Sequence, residues 1–147
     1  MASGDLKTYD PKEITISIAG VSLTAIGGFA DGSFVTISQS EDDWVETTGA
    51  DGEICRARNY KSTIHTMALS FLQSSQCNTV MSGLRLADLT SKAGVFPILI
   101  KDNLGETIVS TPTCWITKSA DVSYSNGVEA REWNLKFVEA VKVVGGN

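Results

Sequence analysis

The chain has 147 residues and a mass of 15.7 kDa, enough for one domain that buries roughly 70% of its unfolded surface without a disulfide or a metal. Seventeen acidic against twelve basic residues give a net charge of −5, which argues against a domain that binds nucleic acid by neutralising phosphates. The 42% of hydrophobic residues exclude a disordered chain, and no apolar run approaches the roughly 20 residues of a membrane helix.

The N-terminal half reads as strands. Residues 1–12 form a polar lead-in without the apolar core of a signal peptide, so we expect synthesis in a cytoplasm. Twelve valines, eleven isoleucines and fourteen threonines favour strands over helices. Alternation of apolar and polar residues predicts strands at 13–19, 34–38 and 62–73, and a continuation of the first strand at 21–26.

Residues 40–61 are predicted to be a long polar connection, acidic in its first part and basic in its last. Connections of this length in a compact domain are usually functional or disordered. We interpret this one either as a solvated surface loop or as an arm that reaches a neighbouring subunit. The candidate subunit-interface residues are its charged side chains and one tryptophan: Glu41, Asp42, Asp43, Trp44, Glu46, Asp51, Glu53, Arg56 and Arg58.

One helix is predicted, from Asn78 to about Lys92. Its apolar residues recur at steps of three and four, the spacing of a helix that packs on one face. Ser75 or Asn78 is the expected N-cap, and Gly94 is the expected end. This helix should pack on a sheet face or cover a sheet edge.

The C-terminal third returns to strands. Residues 95–101 and 106–117 are predicted strands, with Pro97 favouring an edge or a first position and Pro112 a bend or bulge. Asn126-Gly127 predicts a hairpin turn that joins a strand at 121–125 to a long final strand at 128–144. Trp133 and Trp115 both fall in strand patterns that indicate core positions.

The inventory of reactive side chains predicts no enzyme, no metal site and no cofactor. One histidine, His65, lies in a strand pattern and is expected to be structural. Three cysteines, Cys55, Cys77 and Cys114, lack the close spacing of a zinc site and are expected to be reduced thiols, mostly buried. No carboxylate pair stands in a recognisable catalytic setting.

Long strands in a small domain leave sheet edges that recruit partners. Pairing those edges between subunits closes a ring, and head-to-tail contacts form rings or filaments. The strand pattern therefore indicates self-assembly.

The order of several segments resembles the tail tube proteins of contractile-tailed bacteriophages, a family of small phage structural proteins. The resemblance covers nearly the whole chain and rests on order and spacing together. It is carried by Tyr9-Asp10-Pro11-Lys12-Glu13-Ile14, Gly49-Ala50-Asp51-Gly52-Glu53, the strand at 64–72, Ser74-Ser75-Gln76-Cys77-Asn78 before the helix, and a closing long hairpin.

The resemblance implies a single mainly β domain over residues 1–147, built of two packed, mostly antiparallel sheets with one flanking α-helix. It further implies hexameric rings that stack into a tube inside a contractile sheath, assembled in the host cytoplasm and kept in the virion. The implied partners are further copies of the chain and the sheath, tape measure, tail terminator and baseplate proteins. DNA would pass through without specific binding, aided by an acidic lumen.

Two other functions remain open at this point. One is a secreted hexameric ring, like that of type VI secretion, that carries effectors. The other is a monomeric β-sandwich that binds, for example, a glycan. Long tubes, isolated rings or a monomer would distinguish the three.

Overall fold

The computed structural model describes residues 6–146. The strands are β1 (Ile14–Ile18), β2 (Val21–Ser22), β3 (Val35–Gln39), β4 (Trp44–Thr48), β5 (Ile54–Arg58), β6 (Ile64–Leu72), β7 (Phe96–Asp102), β8 (Ile108–Lys118), β9 (Ala130–Val138) and β10 (Val141–Val143). The helices are the one-turn α1 (Leu23–Ile26) and α2 (Cys77–Ser91), with 3₁₀ turns at Pro11–Glu13 and Tyr60–Thr63. No helix among residues 6–146 is long and apolar enough to cross a membrane.

Eight strands form one antiparallel sheet in the order β2-β1-β7-β8-β9-β6-β3, with β10 also paired to β8. A second sheet consists of β4 and β5 alone. Side chains of β1 and β3, far apart in strand order, line one cavity and join one core, so the main sheet curls into an open barrel. The predicted fold class, mainly β with one flanking helix, is confirmed.

The core is built by the alternation that the sequence predicted. On β6 the inward residues His65, Met67, Leu69 and Phe71 are each fully buried, and their neighbours point outward. β9 runs beside β6 and buries Trp133, Leu135 and Phe137 against them. From α2, Cys77 and Met81 pack onto the same cluster, so the helix closes the core on the inward side of the sheet.

Three local predictions were wrong. Residues 23–26 form a helical turn instead of a strand, capped by the Ser22 hydroxyl that accepts from the Ala25 amide at 3.3 Å. No strand forms at 121–125, because the buried Arg131 side chain donates to the carbonyls of Asp121 and Ser123 and holds that segment as a loop. The Asn126-Gly127 pair therefore closes a loop rather than a hairpin.

The two prolines act differently from each other. Pro97 is the second residue of β7, which is a central strand rather than an edge. Pro112 lies in β8 opposite the break at 139–140 that separates β9 from β10, while both of these strands pair with β8 in one continuous register. A proline cannot donate to the ladder. The predicted final strand is thus divided into β9 and β10, and the division lies opposite Pro112, which has no backbone N–H to donate.

The helix ends by a route that the sequence did not indicate. Lys92, not Gly94, adopts the left-handed conformation with φ of 58°, and its amide donates to the Asp88 carbonyl at 2.9 Å. Gly94 follows as a close-approach position, since a Cβ there would lie 2.1 Å from the Cβ of Asp88. At the N-terminus the N-cap is Gln76, which makes no side-chain capping hydrogen bond, so the prediction of Ser75 or Asn78 was wrong. The Ser75 hydroxyl, one residue earlier, accepts from the Cys77 amide at 3.2 Å.

The sheet edges are only partly closed within the chain. On the side of β1 away from β7, β2 pairs only with the last two residues. Before them the Thr24 hydroxyl accepts from the Ile16 amide at 2.8 Å and donates to the Ile14 carbonyl at 2.9 Å. One side chain thus occupies the backbone groups that another strand would use. At the opposite end of the sheet, no strand among residues 6–146 pairs with the outer side of β3.

Candidate assembly surfaces

Within residues 40–61, expected to be a loop, β4 and β5 form an ordered hairpin. All ten of their strand residues are exposed, so the hairpin stands clear of the barrel. It is fastened at its base, where the Asn59 amide donates to the Asp43 carbonyl at 2.8 Å and the Arg58 guanidinium donates to the Ser62 hydroxyl at 2.9 Å. An isolated two-stranded hairpin is marginally stable in water. An exposed hairpin of this kind gains stability by packing against a partner.

The two faces of the hairpin differ in chemistry. Trp44, Glu46, Arg56 and Arg58 alternate onto one face, where the Arg56 guanidinium lies 4.0 Å from the Trp44 ring centroid. The other face carries only uncharged side chains, Val45, Thr47, Cys55 and Ala57. Exposure of a continuous uncharged face on a surface element is typical of an interaction site.

The split of charge along residues 40–61 is neutralised only in part inside the hairpin. Glu46 stands opposite Arg56 in register, and an Arg58 amino group lies 3.6 Å from an Asp43 carboxylate oxygen. Hydrogen bonds from Ser62 and from Gln39, with the charge of Arg58, hold the pKa of Asp43 below its ordinary value of 3.8. Part of the predicted acidic segment therefore faces the predicted basic segment within the same chain. The interface role of all nine candidate residues stays a prediction.

The acids left over lie at the two ends of the hairpin. Glu41 and Asp42 are at its base, whereas Asp51 and Glu53 are in the turn that joins β4 to β5. Asp51 shapes that turn by accepting from the Glu53 amide at 3.1 Å, and the side chain of Ile54 beside them is 70% exposed. The tip thus presents acid and apolar surface together.

A second surface is the outward face of β3, β6 and β9, which α2 leaves bare because it packs on the inward side. Away from the strand ends its side chains are short or polar, with one acid and one base: Thr36, Ser38, Thr66, Ala68, Ser70, Glu132, Asn134 and Lys136. At the strand ends the same face carries the exposed apolar side chains of Ile64, Leu72 and Val138. The sequence predicted which alternate residues of each strand are polar and point outward. It could not show that three strands place their polar residues side by side, since register depends on tertiary pairing.

The one histidine and two of the three cysteines are buried in the core. The His65 ring is buried, stacks on Phe137 with centroids 5.1 Å apart, and lies 3.1 Å from the Thr63 carbonyl through Nδ1. All three cysteines are free thiols, of which Cys77 and Cys114 are buried and Cys55 is exposed on the hairpin. Among residues 6–146 no three His, Cys, Asp or Glu side chains gather as a metal site would require.

Trp133 and Trp115 divide between the two faces of the sheet. Trp133 is in the core, 5% exposed, with its indole N–H donating to the Asn78 amide oxygen at 3.0 Å. Trp115 instead points outward and is half-buried, against expectation. The bulge at Pro112 shifts the alternation of β8 and sends Cys114 and Ile116 inward in its place.

The described residues form a curled antiparallel sheet with one helix on its inward side and a projecting hairpin, and this fold places the chain in the class of mainly β proteins. A sequence profile of the Bacteriophage PhiTE tail tube protein family matches residues 6–145, and the chain belongs to this family. It is also 30% identical over 151 residues to "Structural protein ORF10" of Pseudomonas phage KPP10, covering 99% of this chain and 86% of that protein. The predicted resemblance to phage tail tube proteins is confirmed.

Solved structures agree in fold. The anti-feeding prophage cap (AFP tube terminating cap) superposes with a TM-score of 0.60 at 11% identity, covering 95% of this chain and 93% of that one. A chain of the virion of a native gene transfer agent particle gives a TM-score of 0.60 at 13% identity, covering 93% and 100% respectively. At these identities the likeness concerns the fold alone.

Proposed function

We propose that this protein is the building block of a phage tail tube, in which copies join into hexameric rings that stack around a channel through which DNA passes. The observation that carries the proposal is the small, polar outward face of β3, β6 and β9, bare of the helix and next to the unpaired edge of β3. Joining such faces edge to edge around a ring gives a closed barrel without free edges.

The outward face is suited to a channel wall that does not retain DNA. Its one acid, Glu132, and its one base, Lys136, cancel, and the remaining side chains away from the strand ends are uncharged and mostly short. Cationic side chains would bind phosphates, whereas a wall without net charge offers no such attraction. In place of the acidic lumen expected from the net charge of −5, we propose a near-neutral one, with most of the acid on other surfaces.

The role proposed is structural rather than catalytic, within the virion, after assembly in the host cytoplasm. The partners proposed are those of a contractile tail: the sheath around the tube, the tape measure protein inside it, and the terminator and baseplate proteins at its ends. The exposed hairpin is the proposed contact between subunits, because its strands are fully exposed and its uncharged face has no cover among residues 6–146.

Negative-stain imaging and size-exclusion chromatography of the purified chain test this proposal. Long tubes of constant diameter are expected. Isolated rings would favour the effector-carrying alternative, and a monomer near 15.7 kDa would contradict any tube.

Deletion of residues 49–55 removes the tip of the hairpin and tests the proposed role of the hairpin as a contact between subunits. It removes no core residue, so its circular dichroism and thermal unfolding should match those of the full chain at concentrations too low for assembly, while tubes should be lost at higher concentrations. Normal tubes from this variant would contradict the contact role of the hairpin and leave the tube itself intact.

A further inference from the structure

A cavity of about 390 Å³ opens between α2, the 119–124 loop and the first residues of β9. Two arginines, Arg85 and Arg131, line it, and no acidic side chain does. This is unusual in a chain with five more acids than bases. A cavity with two guanidinium groups and no carboxylate is suited to an anion, above all a carboxylate.

The cavity is held in shape by buried contacts. Arg131 is 8% exposed, and one of its amino groups donates to the Asp121 and Ser123 carbonyls at 3.1 and 3.3 Å. Trp133 and Asn78, joined by a hydrogen bond, form part of its wall. At its mouth Leu86, Val122 and Tyr124 are 57%, 72% and 78% exposed, so the basic pocket has an apolar rim.

The hairpin tip carries the complementary set. Asp51 and Glu53 supply carboxylates, and the side chain of Ile54 beside them is 70% exposed. An acidic tip with an exposed apolar side chain matches a basic pocket with an apolar rim, in both charge and hydrophobicity.

The two surfaces lie at opposite ends of the subunit. The hairpin joins the sheet where β6 begins, and the cavity lies where β6 ends and β9 begins, at Gln73 and Arg131. The nine residues of β6 span roughly 30 Å. A tip therefore cannot fill the cavity of its own chain, but it is placed to fill that of a copy stacked head to tail, the arrangement that propagates without limit.

We propose that the cavity binds the acidic hairpin tip of a second copy of this chain, with Glu53 facing Arg85 and Arg131. This contact rests on the proposed tube function and gives it a stacking direction and a receptor site. Arg85 is the residue to test, because Arg131 also holds the loop.

Charge exchange provides the experiment. Glu53→Lys or Arg85→Glu should each weaken stacking, about fivefold per contact, and the double variant should restore tube length. Glu13→Lys is the control, since it changes the net charge equally at an exposed acid outside residues 40–61. Equal shortening by Glu13→Lys, or no rescue in the double variant, would overturn the proposal.

A crosslink gives a readout that does not depend on tube length. In a Cys55→Ser background, oxidised Glu53→Cys/Arg85→Cys protein should form a ladder of covalent multimers, while each single variant should give dimers at most. Crosslinked monomer alone, or no crosslink, would overturn the docking while wild-type tubes persist. A wild-type chain that stays monomeric would overturn the tube function as well.

Discussion

At the level of single residues, the three cysteine thiols differ in their burial. It raises the pKa of Cys114 to about 12 and also raises the pKa of Cys77, while Cys55 lies exposed on the hairpin. The thiolate is the reactive form of cysteine, so a buried thiol with a raised pKa is inert at neutral pH.

One thiol per chain should therefore react with a maleimide or with Ellman's reagent at pH 8 in the unassembled native protein, and three after denaturation. Cys55→Ser should leave no rapidly reacting native thiol. Fast labelling of two or more thiols in the native monomer would contradict the buried positions of Cys77 and Cys114.

His65 is structural, as predicted, but only one side of its ring is satisfied. Nδ1 faces a carbonyl, which can only accept, so Nδ1 carries the hydrogen. Nε2 is buried without a hydrogen bond and lies 3.7 Å from a carboxylate oxygen of Glu139. The imidazole ring fills space in the core, but burying Nε2 without a hydrogen bond costs desolvation free energy.

The free energy of unfolding of His65→Phe should accordingly lie within about 1 kcal/mol of the wild-type value or exceed it. The Thr63 carbonyl is not left unpaired in this variant, because it still accepts from the Glu139 backbone amide. His65→Ala should cost about 2–4 kcal/mol through the cavity it leaves. Urea unfolding of both variants measures this. A large loss in His65→Phe would indicate that the imidazole nitrogens are needed.

At the level of elements, two glycines of the helical region have opposite roles. Gly83 lies inside α2, where an added Cβ would have no other atom within 4 Å, whereas Gly94 leaves no room for one beside Asp88. The sequence pattern predicted that Gly94 ends the helix, but the residue that adopts the left-handed conformation at the helix end is Lys92.

Gly83→Ala should stabilise the protein by about 1 kcal/mol, because alanine restricts the unfolded chain and favours helix. Gly94→Ala should destabilise it by about 1–3 kcal/mol through overpacking. Thermal unfolding of the pair is a direct comparison, as the same atoms are added in both. Equal effects would contradict the packing at Gly94.

At the level of the whole molecule, the domain has a complete core but incomplete surfaces. β3 has an unpaired side among the described residues, and the hairpin is exposed along its length. Assembly covers such surfaces only in the native state, so it stabilises the fold by mass action.

The unfolding temperature of the full chain should therefore rise with protein concentration, whereas that of the 49–55 deletion should not. Differential scanning calorimetry over a hundredfold range of concentration measures both. A concentration-independent midpoint in the full chain would argue against self-assembly.

Local pattern accounted for most strands, the helix and the buried parity of β6 and β9, because side-chain alternation is a property of neighbouring residues. It also carried the family resemblance. It failed at 121–125 and at residues 40–61, where the outcome depends on contacts with residues distant in sequence. Arg131 holds the first segment, and backbone pairing of β4 with β5 orders the second.

What the amino-acid order alone decided is the period of each element, and with it a mainly β domain that exposes sheet edges. Only the folded structure decided which polar faces adjoin, that Glu46 stands opposite Arg56 in the hairpin, and that an acidic tip and a basic cavity lie at opposite ends of β6. The reason is physical: register and long-range side-chain contacts are selected by the whole core at once, not by any local run of residues.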